Sequence, residues 1–99
     1  MSHDFGIRNK KKKNWAWFFG FANGLMYRAF HEEKHFAVFS GDNGMETKSK
    51  EETENALDWA IDTFDHMGYP DPTRLDEIKK FRKEMSNDNF NDTYEIWYS

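Results

Sequence analysis

Apolar positions along this chain change their period partway through. Between residues 15 and 40 they form short dense runs, broken at Asn23-Gly24 and again at Glu32, Glu33 and Lys34. An Asn-Gly pair between apolar runs is the strongest short-range hairpin signal, because a type I′ turn needs φ > 0 at both central positions. The pattern therefore predicts a three-stranded antiparallel meander. Ala22 is expected opposite Leu25, Phe19 opposite Arg28 and Trp17 opposite Phe30, with a third strand over residues 35–40. Alternation along the strands puts Trp15, Trp17, Phe19, Phe21, Met26, Phe30, Phe36 and Val38 on one face, expected against a helix layer. Phe18, Leu25, Tyr27 and Phe39 fall on the other, expected to be covered in part by the C-terminal segment or by a partner.

Past a loop at Gly41, Asp42, Asn43 and Gly44 the spacing becomes helical. Ser49 and Glu52 form a capping-box pattern, in which each side chain bonds the other residue's backbone N–H. Ala56, Leu57, Ala60, Ile61, Phe64 and Met67 recur at the spacing of one helix face, and Gly68 is a C-terminal stop. Asp71 caps a second helix with Pro72 in its first position, and Leu75, Ile78, Phe81 and Met85 form its buried stripe. The run from Asn87 to Asp92 breaks that helix. Residues 93–98 alternate and are rich in β formers, which predicts a final strand. The expected fold class is α+β in the order β-β-β-α-α-β. Residues 1–14 read as a basic flexible arm with at most a short strand at 5–7, and residues 15–99 as a single α+β domain.

Composition sharpens this picture. Only 37% of the 99 residues are apolar, yet ten Phe, four Trp and four Tyr make the chain aromatic-rich. Large rings must supply most of the core, at about 150–250 Å² buried each. With no Cys, disulfides and thiolate metal sites are excluded. No apolar run approaches the roughly 20 residues of a membrane span. Lys10, Lys11, Lys12 and Lys13 ahead of residues 15–22 superficially resemble the basic and apolar regions of a secretion signal. Asn23-Gly24 interrupts the run, however, and no small-residue cleavage site follows. A cytoplasmic location with no membrane association is the expectation.

Charge is split along the chain. Residues 1–37 carry seven Lys/Arg against three Asp/Glu, while residues 38–99 carry seven against fifteen. Glu51, Glu54, Asp58, Asp62 and Asp65 are spaced to share one face of the first predicted helix. Such a row can imitate a line of phosphates and attract a basic surface. Arg8, Lys10, Lys11, Lys12 and Lys13, followed by Trp15 and Trp17, suit phosphate contacts with base stacking. His31-Glu-Glu-Lys-His35 matches H-E-x-x-H, which binds zinc in peptidases by placing two His one helical turn apart. Here the resemblance covers five residues, places the motif on a turn, and lacks a third ligand at family-like spacing. No serine has a nucleophile-elbow context, and Gly41 to Gly44 has neither Walker nor dinucleotide spacing.

These residues point to a non-enzymatic interaction protein, an inhibitor or adaptor. It is expected to dock the acidic face of Glu51, Glu54, Asp58, Asp62 and Asp65 on a basic protein surface, such as a nucleic-acid-binding groove. Small acidic bacteriophage proteins that block restriction or CRISPR complexes are similar in size and charge, with no shared motif. The aromatic sheet face is expected to add contact area or to mediate a homodimer. The alternative is a nucleic-acid-binding module using the basic arm. A zinc hydrolase through His31 and His35 is the distant third, and no cofactor is expected.

Overall fold

Two segments at opposite ends of the sequence form the middle of the sheet. In the computed structural model, strand β1 (Phe5–Asn9) pairs antiparallel with strand β4 (Thr93–Tyr98), Ile7 lying opposite Ile96. Strand β2 (Ala16–Phe18) lies outside β1 and strand β3 (Gly44–Ser49) outside β4, giving the four-stranded antiparallel order β2-β1-β4-β3. The described residues also form three helices: α1 (Ala22–Phe30), α2 (Lys50–Phe64) and α3 (Pro72–Met85). The structure describes residues 5–12, 14–18, 22–30, 44–64, 66 and 72–98.

One core joins the helices to one sheet face. Phe5, Ile7, Phe18, Tyr94 and Ile96 pack from the strands against Leu25, Met26 and Phe30 of α1, Leu57, Ala60 and Phe64 of α2, and Ile78 and Met85 of α3. Phe5 meets Phe18 and Phe30 with ring centroids 6.3 and 5.1 Å apart, in tilted arrangements favoured by the ring quadrupole. Burying a side chain of this size contributes about 1.5–3 kcal/mol, so these rings carry much of the stability, as the aromatic composition requires.

The second half of the chain follows its pattern. The Ser49 hydroxyl accepts from the Glu52 N–H at 3.1 Å, and the Glu52 carboxylate accepts from the Ser49 N–H at 3.2 Å, so the capping box is formed. The Ser49 backbone N–H first, and the Ser49 side chain after it, hold the Glu52 carboxyl below its ordinary pKa. Pro72 opens α3, and β4 spans the predicted residues. The fold is thus α+β, but the order among the described residues is β-β-α-β-α-α-β.

The first half departs from it. Ala22–Phe30 is a helix, so Asn23-Gly24 lies in a first helical turn instead of a hairpin turn. The physical reason is the spacing of Leu25, Met26, Ala29 and Phe30, which sets one apolar helix face against Phe5 and the helices. The predicted third strand at 35–40, the loop residues Gly41 to Asn43, and Met67, Gly68 and Asp71 lie outside the described residues. The short strand read at 5–7 within the basic arm is present and extends to Asn9, lying inside the sheet because Phe5 and Ile7 alternate into the core. The faces of residues 15–18 are also reversed. Ala16 and Phe18 pair with Ile7 and Phe5 and turn inward, while Trp17 pairs with Gly6 and turns outward.

Candidate functional site

The outward face of the sheet carries an aromatic row. In register across the strands it reads Trp17, Gly6, Trp97, Met45. Trp17 and Met45 are exposed and Trp97 half-buried. A Cβ on Gly6 would lie 2.7 Å from Trp17 Cζ3, so the indole can lie over β1 only because that residue is glycine. Trp15 stacks on Trp17 at 5.5 Å between centroids, and the Arg8 guanidinium sits 4.4 Å from the Trp15 ring centroid. Arg8 also donates to Glu95, its cross-strand partner, at 2.8 Å. The result is a flat aromatic surface bordered by one internally balanced ion pair.

The acidic row on α2 is not a free anionic face. Arg82 of α3 reaches across to Glu54 at 3.0 Å and to Asp58 at 2.8 Å, and these partners, Asp58 first, make the guanidinium still harder to deprotonate. Glu51 and Asp62 remain exposed on α2, and Asp65 lies outside the described residues. The neighbouring helix adds cations of its own, since Lys79, Lys80 and Lys83 are exposed on α3. The helix layer therefore presents mixed charge. The long separation between Arg82 and its partners left no signal in the local sequence.

The basic segment is tied to a buried polar node. Asn9 donates from Nδ2 to Asp92 at 2.8 Å and to Asp88 at 3.0 Å, and the Tyr94 hydroxyl donates to Asp88. Lys12 bonds Asp88 at 2.7 Å, Lys11 pairs with Asp92 at 2.8 Å, and the buried Lys50 donates to the Asp88 carbonyl at 2.7 Å. Burial would raise the Asp88 pKa, but donation from Lys12, Tyr94 and Asn9 holds it below the ordinary value. Asp92 is held low by Lys11 and Asn9. Burial and donation to Asp88 push the Tyr94 phenol well up. Lys12 is raised by the same bond to Asp88.

In these pairs the acids lie inside and the lysines outside. The Asp88 and Asp92 side chains are 6% and 8% exposed, those of Lys12 and Lys11 61% and 75%. Lys10 is exposed as well, and Lys13 lies outside the described residues. Beside them a cleft of about 490 Å³ is lined by Lys12, Trp15, Phe81, Glu84 and Tyr94 among others. Phe90, at the tip of the loop between α3 and β4, is exposed.

His31 and His35 lie outside the described residues. Among the described residues no group of three or more His, Asp or Glu could hold a metal ion, and no helix is long and apolar enough to cross a membrane. No protein-family model, curated protein or solved structure matches the chain.

Proposed function

We propose that this chain is a small non-enzymatic protein-binding module, of the inhibitor or adaptor kind, whose main contact surface is the sheet face turned away from the helices. The observation that carries this reading is the in-register row of Trp17, Gly6, Trp97 and Met45, with Trp15 and Arg8 alongside. Trp, Met and Arg are the residues enriched in interface cores, and Trp and Arg dominate binding hot spots. A flat sheet face held by four strands is also preorganised, which lowers the entropy lost on association. Glu51 and Asp62 lie on the helix layer behind this face, so they steer a basic partner only at long range and supply little of the affinity. The pairing of Glu54 and Asp58 with Arg82 supports this division of labour.

The test replaces Trp17 or Asp62 with a photo-crosslinking residue in the native host. Crosslinks concentrated at position 17 support the sheet face, and crosslinks confined to position 62 return the contact to the acidic helix. With the captured partner in hand, Trp17→Ala with Trp97→Ala is expected to weaken binding by about 2 kcal/mol or more. Asp62→Lys should lower mainly the association rate. A complex that dissolves steeply with salt and ignores both tryptophans would overturn the assignment.

A further inference from the structure

The cleft beside the lysines has a chemistry that the protein-binding surface does not use, and apart from Trp15 and Arg8 it is lined by other residues. We infer that it binds single-stranded nucleic acid, taking one base that carries an exocyclic amino group.

Three features converge there. Trp15 and Phe81 line the cleft, and Trp15 is held by its stack on Trp17 and by the Arg8 guanidinium over its ring. Phe81 has no ring or cation contact among the described residues, so it is the ring left to stack on a base, with Trp15 as the cleft wall. Lys12 lines the same cleft, and Lys10 and Lys11 precede it on the turn that follows β1. Their ammonium groups face solvent while the paired acids are interior, so the edge of the cleft is cationic toward a ligand. Glu84 is the remaining group. Asp88 is already engaged by Lys12, Tyr94 and Asn9, whereas Glu84 is exposed and has no ion-pair partner among the described residues. An unengaged carboxylate beside a stacking ring is an acceptor for a base N–H₂, as acidic side chains accept from cytosine N4. A strand of uniform negative charge would be repelled by Glu84, so the group is a selector rather than a source of affinity.

The cleft volume exceeds that of one base, which leaves room for its sugar. Double-stranded nucleic acid does not fit, because its bases are stacked and unavailable to Phe81. The measurement is fluorescence anisotropy of labelled oligodeoxycytidylate and oligothymidylate, with the whole chain titrated at several salt concentrations. Cytidylate is expected to bind roughly 5-fold or more tighter than thymidylate, from one acceptor contact. Affinity should fall with salt with a logarithmic slope of roughly −2, from three lysines at about −0.7 each. Glu84→Gln, an exposed change that leaves the fold intact, should erase the preference. Phe81→Leu should weaken both ligands by roughly 5- to 100-fold, and Lys10→Gln should reduce the salt slope by about 0.7. No anisotropy change at about 10⁻⁴ M protein and low salt would overturn the proposal. So would equal affinity for the two oligonucleotides with Glu84→Gln silent, or tighter binding to duplex. Trp97→Ala, which lies outside the cleft, should leave this binding unchanged, so its outcome is separate from that of the sheet-face reading.

Discussion

The molecule contains two clusters of opposite charges built in inverse ways. Between α2 and α3 the Arg82 guanidinium is a quarter exposed, about as enclosed as Glu54 and more so than the half-exposed Asp58. At the turn after β1 the anions are enclosed and the lysines stand in water. The first arrangement turns the Asp58 carboxylate outward and neutralises it from within. The second turns ammonium groups outward and hides the acids that balance them. A chain with formal net charge −4 can therefore present a cationic edge, because surface potential depends on which member of each pair meets solvent. The two clusters should also differ in strength. A pair held in a buried network loses several bonds at once when one member is removed, whereas an exposed pair is worth little.

The largest effect is expected at Asp88. Asp88→Ala strips the acceptor from Lys12, Asn9 and Tyr94 together, and urea unfolding should show a loss of about 3 kcal/mol. A loss under about 1 kcal/mol would put this node on the same footing as a surface pair.

Acid titration sharpens the same point. Asp88 and Asp92 both ionise below their ordinary range in the folded chain. Their stabilising contribution is thus complete above the unfolded carboxylate value near pH 4 and is lost as pH falls through the lower folded values. Unfolding free energy should be level from neutral pH to about pH 5, then drop below about pH 4. Asp92→Asn should shallow that drop.

Tyr94→Phe is expected to cost about 1 kcal/mol at neutral pH. The tyrosine pKa is raised on folding, so its contribution is present below about pH 10 and lost as pH rises through the folded value. The wild-type chain should therefore lose stability in alkali, and the Phe variant should lose less. The smallest effect belongs to the other cluster. Arg82→Ala should cost under about 1 kcal/mol, most of it removed by molar salt. A cost above about 3 kcal/mol would make the helix pair structural and erase the contrast.

What could be read in the sequence was what depends on near neighbours. The Ser49–Glu52 cap, Pro72 at the start of α3, the stripe from Leu57 to Phe64 and the alternation of β4 all rest on residues a few positions apart. Residues 22–30 were misread because a strong turn dipeptide outweighed a nine-residue helical pattern. Leu25, Met26, Ala29 and Phe30 held the correct signal at i, i+1, i+4 and i+5. Strand β1 was legible only as a short strand at 5–7, and its inner place beside β4 was not, because that pairing joins opposite ends of the sequence. The polar node links Asn9 with Asp88 and Asp92 across 79 and 83 positions, and Arg82 reaches Asp58 across 24. No local pattern encodes such meetings. The same holds for the outward turn of Trp17, which depends on Gly6 being its partner.

The pairing of β1 with β4 has a consequence for how this chain is made. An N-terminal strand leaving the ribosome waits while more than eighty residues are translated before its inner neighbour exists, several seconds or more at about 5–20 residues per second. During that interval Phe5 and Ile7 have only β2 and the helices for shelter, and β3 has no strand partner among the described residues. Truncation within residues 93–98 should therefore abolish folding, where loss of an outer strand would only weaken it. Joining the two ends by a short linker and reopening the chain elsewhere should speed folding, since the slowest meeting becomes a local one.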